Sequence, residues 1–393
     1  MTTAVAASAA VARRFGRSDI DRATRLLRAC LTDPARSDPA SVARLARGVS
    51  PAAALAVARY HGVAGLIFEP LRRSGGAPPA LLEPVRETFE ASVHRHLRAT
   101  WDLMQAGRIL DATGVAWVVV KGPAAVEQLY RGSGGRRYLD LDLLVDPAGF
   151  GPVVVALEAD GFALLDRNWA VMRREMRGAV HHRGSSGLEI DLHWNLVNMY
   201  RGRMRVPTRE LLARSEPVQL AGVGVRTLEP TDTLIHLCLH AAISGGDRMV
   251  WVKDIERAVA VRPPDWDELV ARCDRWSVGA PVGLMLARAA TFLGADVPGP
   301  ALRTLLGRGT RVVIGAVDRL VPWPRALGRL ASPNRLMARS IGQGALGAGA
   351  WLVVRSIRNL DPGQEHAESA FTPGGDERDR DAFIAAVMAT EDA

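Results

Sequence analysis

The sequence predicts an α+β fold, a mixed β-sheet within residues 100–229 flanked by helical regions on both sides. Three observations carry the prediction. Apolar residues recur at helical spacing from about Ser18 to Thr100. Short runs rich in Val and Leu cluster between Trp117 and Leu228, as strands do. Helical spacing then returns at Thr231 and continues to Leu306. These shifts divide the chain into a helical region at 1–99, an α/β domain at 100–229, a helical domain at 230–330, and a helical segment with a flexible polar tail at 331–393.

In the first region, Ile20–Leu31, Pro51–Tyr60 and Leu81–Leu97 read as helices, with Pro78-Pro79 breaking the run. His61-Gly62 follows a helix end, where Gly suits a left-handed cap. In the second, Leu103–Thr113 is helical and Trp117–Val120 is a buried strand ending at Lys121-Gly122-Pro123. A helix runs on through Leu129 and Tyr130, and a Gly- and Arg-rich loop, Arg131–Arg137, leads to the strand Leu139–Val145. Phe150–Asp160 is a helix closed by Gly161. Val180–Arg183 and Leu188–Trp194 form a hairpin across Gly184–Gly187, and Val218–Leu228 alternates as an edge strand. In the third, Glu229-Pro230-Thr231 is a helix start, followed by helices at Leu234–Ala242, Lys253–Val261, Trp266–Trp276, Val282–Leu293 and Ala301–Leu306. Ile341–Val354 is apolar but too short and Gly-interrupted to span a membrane, so it reads as a buried or surface-associated helix. From Asp361 the polar composition predicts flexibility, with a short helix at Ala382–Met388.

The chain has 393 residues, room for two or three domains, and its 48% hydrophobic content fits a folded, soluble protein. A net charge of +8 invites a nucleic-acid reading. Against it, the only lysines are Lys121 and Lys253; the remaining basic residues are arginines, scattered through an Ala- and Gly-rich chain as coding bias would leave them. Nucleic acid is therefore not the expected partner. Cys30, Cys238 and Cys273 are too far apart for a CxxC pair, which points to a reducing, cytoplasmic setting. The N-terminus lacks a basic segment followed by a long apolar core, so it does not read as a signal peptide.

The chemistry concentrates around the first two strands. Asp140 and Asp142 lie two apart on one strand, so both carboxylates share a face while Leu141 and Leu143 turn to the core. Two like charges this close call for a cation between them, which suits divalent metal and phosphoryl transfer. Lys121 offers a point charge to a phosphate, and Gly122 lets the backbone approach it closely. Arg136 and Arg137 precede the acidic strand, and one of them can clamp phosphate bidentately. On the strand Glu189–His193, the residues Glu189, Asp191 and His193 share a face. His236 and His240 share a helix face four residues apart. No Glu follows His236 and Cys238 points away, so substrate contact or packing is favoured over zinc; Trp251 and Asp254 stand nearby, and Asp254 could orient a histidine. No phosphate loop, dinucleotide fingerprint or nucleophile elbow is present.

Taken as a set, Lys121-Gly122, Arg136 or Arg137, Asp140-Leu141-Asp142-Leu143-Leu144-Val145 and Ile190-Asp191-Leu192-His193-Trp194 resemble a bacterial family of uncharacterised nucleotidyltransferases within the polymerase-β-like superfamily. The resemblance runs from about Tyr60 to Leu293. It implies the polymerase-β-like mixed sheet and a metal site of Asp140, Asp142 and Asp191, with magnesium (or manganese) as the ion. It also implies phosphate contacts from Lys121, Gly122 and an arginine, and a second-shell or substrate role for His193, His236 and His240. One departure stands out: Lys121-Gly122-Pro123 occupies the turn where many superfamily members have Gly-Ser or Gly-Gly. The expected activity is transfer of a nucleoside monophosphate from an NTP to a hydroxyl or phosphate of a small-molecule, sugar or peptide acceptor, with release of pyrophosphate. Members of this kind resemble accessory enzymes of biosynthetic clusters. Two other readings are a phosphotransferase using the same carboxylates, and a non-catalytic scaffold that binds nucleotide or a partner.

Overall fold

A computed structural model describes residues 14–33, 35–133, 135–197, 204–220, 222–325, 332–341 and 370–390. Its N-terminal part packs four short helices, α1 (Arg17–Leu31), α2 (Pro39–Arg47), α3 (Pro51–Tyr60) and α4 (Phe68–Ser74), beside the long α5 (Pro79–Thr113). Asp38 and Ser50 cap α2 and α3 through their side chains, and each helix takes Pro in its first turn, where no amide is needed. The turn after α3 has His61 as the residue that caps the helix and Gly62 at φ 72°, as the His-Gly pair predicts.

A seven-stranded sheet follows, in the order β3-β4-β5-β2-β1-β7-β6. Its strands are β1 (Trp117–Val119), β2 (Asp140–Val145), β3 (Ala163–Leu164), β4 (Ala179–Arg183), β5 (Glu189–His193), β6 (Glu216–Leu220) and β7 (Val223–Thr227). The helices α6 (Pro123–Tyr130), α7 (Phe150–Ala159), α8 (Trp169–Glu175) and α9 (Thr208–Arg214) connect them. The sheet is mixed: β1 runs antiparallel to β2 and parallel to β7, while β2 runs parallel to β5. Beyond it lie α10 (Pro230–Ser244), α11 (Met249–Val261), α12 (Trp266–Arg275), α13 (Gly279–Leu293), α14 (Gly299–Leu305), α15 (Arg308–Leu320), α16 (Ser332–Ser340) and α17 (Glu377–Met388). No helix among the described residues is long and apolar enough to cross a membrane. Most of Ile341–Val354, the segment read as a buried or surface helix, lies outside the described residues.

The two faces of the sheet belong to two hydrophobic cores, which decides where the site can be. Val118, Val120 and Leu144 join the core of α1–α4 and α10–α13. Val119, Leu141, Leu143, Val145, Ile190 and Leu192 join the core on the other face, with α7, α17 and the second half of α5. Strand alternation then turns Asp140, Asp142, Asp191 and His193 toward the α10 side.

Three features differ from the sequence expectation. The segments Leu81–Leu97 and Leu103–Thr113 belong to one 35-residue helix, which runs through the boundary placed at residue 100. The two cores nevertheless exchange near that point, since Leu81 and Val85 belong to the first and Ala99 and Leu103 to the second. Val218–Leu228 is a hairpin rather than one edge strand, because Gly222, at φ 85°, reverses the chain and sends β7 back beside β1. Within the tail read as flexible, residues 370–390 are structured. Phe383 and Val387 are fully buried in the sheet core, and Phe383 meets Phe150 and Trp169 edge-on or tilted, with ring centroids 6.3 and 6.1 Å away.

Candidate active site

Sheet register brings the acidic residues together. In the parallel pair β2–β5, Asp142 lies opposite Asp191 and Leu144 opposite His193. Lys121 follows the end of β1. Gly122 makes the turn after it at φ 59° and ψ −114°, a conformation that excludes other residues, and an added Cβ would stand 3.3 Å from the Asp140 carbonyl oxygen. The Gly-Ser departure thus leaves the sharp turn in place.

Asp142 is the centre of the cluster and is fully buried. Its Oδ1 accepts from Lys121 Nζ at 2.6 Å and pairs with His193 Nε2 at 3.2 Å. Its Oδ2 is buried and has no hydrogen-bond partner. A buried carboxylate oxygen left bare costs free energy that a cation would recover. Ligand atoms of Asp142, Asp191 and His193 lie within 4.8 Å of one another, close enough to share one ion. Asp140 shares their face but is not one of that set. Hard carboxylate oxygens suit magnesium or manganese, so the donor set fits a divalent cation.

The electrostatics divide the carboxylates. Burial pushes the Asp142 carboxyl upward, but Lys121 and His193 outweigh it and hold it well below the usual range. Asp140 is raised by burial and by the charge of Asp142. Asp191 is raised to about 6 by burial and by Asp142. Burial opposes the Lys121 ammonium, yet Asp142, Asp140 and Asp191 keep it charged. His236 and His240 lie on α10 with ring centroids 6.3 Å apart, and His240 meets Trp251 edge-on. Burial, then the nearby Lys121, push His236 down to about 3 and His240 well below its usual value, so both are neutral. Both ring nitrogens of His236 are buried and unpartnered.

The two arginines separate. Arg136 is buried and grips Asp254, with Nε donating at 2.9 Å to Oδ1 and Nη2 at 2.6 Å to Oδ2; Tyr130 Oη donates to the same carboxylate at 2.7 Å. Arg136 thus turns Nε and Nη2 to Asp254 while its Nη1 is buried without a hydrogen-bond partner, and Asp254 serves Arg136 and Tyr130 rather than a histidine. Arg137 is exposed.

Sequence reasoning missed His181 and Asp166. His181 lies opposite Asp191 in β4–β5 with its Nε2 3.9 Å from Asp191 Oδ1. Its Nδ1 is 3.1 Å from the buried Asp166, whose Oδ2 also accepts the His181 amide at 2.6 Å. The signal was available: a hairpin closed over Gly184–Gly187 pairs Arg183 with Glu189 and hence His181 with Asp191.

The model of a family described as uncharacterised nucleotidyltransferase matches residues 48–294, more than half of the chain. Among curated proteins and solved structures, none matches.

Proposed function

The chain belongs to this nucleotidyltransferase family, and on that premise we propose that it moves a nucleoside monophosphate from an NTP to a hydroxyl or phosphate of a small-molecule, sugar or peptide acceptor, with release of pyrophosphate. The observation that carries the reading is the bare, buried Oδ2 of Asp142 beside Asp191.

Asp142 and Asp191, with Asp140 on the same face, would hold magnesium or manganese. That ion, when bound, supplies Lewis-acid polarisation of the phosphates and charge neutralisation of the leaving pyrophosphate. Lys121 is an ammonium among three carboxylates, placed to pass to a phosphate oxygen. Gly122 sets the sharp turn that presents Lys121 beside the acidic strand, with the Asp140 carbonyl and the Tyr138 ring packed against it. Asp191, opposite Asp142 in the sheet, is also placed to draw the acceptor's proton. His193 orients Asp142, and Arg136 stiffens the wall through Asp254. His236 and His240 present neutral imidazoles to substrate. The flanking helices select the acceptor, and nucleic acid is not a partner in this reading. The three buried, free cysteines support a cytoplasmic location.

The test is NTP-dependent pyrophosphate release with magnesium, wild type beside the Asp140→Ala, Asp142→Ala double variant. Loss of release in the variant is expected; undiminished release would sink the proposal. Pro123, standing where a triphosphate-contacting Ser is common in the superfamily, gives slight support to a non-catalytic scaffold; a further reading is transfer of the γ-phosphate by the same carboxylates. ADP in place of pyrophosphate would identify it, and nucleotide binding without turnover would mark a scaffold.

A further inference from the structure

Most arginines around the site are committed. Arg136 holds Asp254, Arg272 holds Glu229 and Asp232, and Arg288 holds Asp318. Three are not. Arg59 in the last turn of α3, Arg95 on α5 and Arg137 just before β2 make no ion pair or side-chain hydrogen bond among the described residues.

The fold brings them to one place. The loop carrying Arg137 is pinned on two sides. Gly135 meets Gly65, where an added Cβ on Gly65 would stand 2.4 Å from the Gly135 carbonyl oxygen, and Gly65 follows the end of α3 that carries Arg59. Tyr138, next to Arg137, bonds His96 Nδ1 through its hydroxyl at 2.9 Å, and His96 is next to Arg95. Partial burial and the charges of Arg95 and Arg59 together lower the Arg137 pKa. Three like charges gathered without a counterion repel one another, and an anion between them removes that cost.

We propose that Arg59, Arg95 and Arg137 form an oxyanion subsite that seats a phosphate group of the acceptor, apart from the Lys121-Gly122 turn where the nucleotide's phosphates belong. Only the word acceptor rests on the nucleotidyl-transfer reading. The two places adjoin at Tyr138, whose ring would stand 3.5 Å from a Cβ on Gly122, and they differ in their partners: Lys121 is held at 2.6 Å by Asp142, whereas the three arginines have no carboxylate partner among the described residues. Three guanidinium groups match a phosphate of nearly two negative charges better than a carboxylate of one. Two of the three arginines come from the N-terminal helices, so an element outside the sheet would choose the acceptor.

The test uses the full chain, metal-free, with inorganic phosphate as probe in titration calorimetry. Wild type is compared with the Arg59→Gln, Arg95→Gln, Arg137→Gln triple variant and with Arg108→Gln, an exposed arginine elsewhere on α5. Phosphate is expected to bind wild type and Arg108→Gln within about twofold of each other, and the triple variant at least about tenfold more weakly. Equal binding to wild type and triple variant would overturn the subsite. Unliganded melting serves as the folding control: the triple variant should melt at or above wild type because repulsion is removed, and a lower value would show that the arginines are structural and overturn the proposal. The magnesium–ATP thermal shift separates the two phosphate sources. A shift kept in the triple variant supports the acceptor, and one lost there would reassign the arginines to the triphosphate. If wild type shows no magnesium–ATP shift yet binds phosphate through the arginines, the nucleotidyl-transfer reading fails while the subsite stands.

Discussion

Replacing Asp191 by Asn should stabilise the metal-free protein while abolishing its activity. The Asp191 carboxyl is raised from 3.8 to about 6 by burial and by Asp142. Its folded form therefore holds the proton more tightly than the unfolded chain does. The contribution to stability is fully present below the ordinary carboxylate range and is lost as pH rises through about 6. A shift of about two units at roughly 1.4 kcal/mol each makes the penalty at pH 7 at most about 3 kcal/mol. Asn cannot ionise and escapes it. Urea unfolding in EDTA should show Asp191→Asn more stable than wild type by about 1–3 kcal/mol at pH 7, shrinking below about 1 kcal/mol near pH 4. Saturating manganese should reverse the order, because the ion stabilises only the protein that binds it. Equal stability at pH 7, or a gain that persists undiminished at pH 4, would refute the reasoning.

Two further outcomes follow from the ion pairs. Lys121→Met strips Asp142 of its closest partner and leaves a fully buried charge, so it should cost about 3–5 kcal/mol at pH 7; adding Asp142→Asn should restore part of that in a double-mutant cycle. Arg136→Ala should lower stability by a similar amount of about 3–5 kcal/mol, by unpairing Asp254, and chemical denaturation beside nucleotide titration checks it. Weaker nucleotide binding at unchanged stability would return Arg136 to the phosphate.

The sequence made the site more legible than its surroundings. Asp140, Asp142 and Asp191 fall on one sheet face because period-two alternation decides it, and alternation survives any packing detail. The sharp turn at Gly122 was also readable. The fate of Arg136 was not: nothing local says that Asp254, on another helix more than a hundred residues later, will meet it. The short helices α2, α4 and α8 were missed because seven to nine residues carry too little periodicity to register. The C-terminal helix was underrated for a different reason. Its first five residues are all charged, and only Phe383 and Val387 reveal, once packed, that it has a buried side.

That late helix has a consequence for how the protein is made. The sheet core begins with α5 and β1 but is closed by Phe383 and Val387, more than two hundred residues further on. On the ribosome the N-terminal helices emerge first and can collapse on local contacts, while the sides of α7 and α8 that α17 covers wait, greasy and uncovered, until nearly four hundred residues have been translated. Interrupted synthesis would thus yield a fragment that carries every carboxylate of the site and still exposes an apolar surface, a natural client for chaperones and proteases.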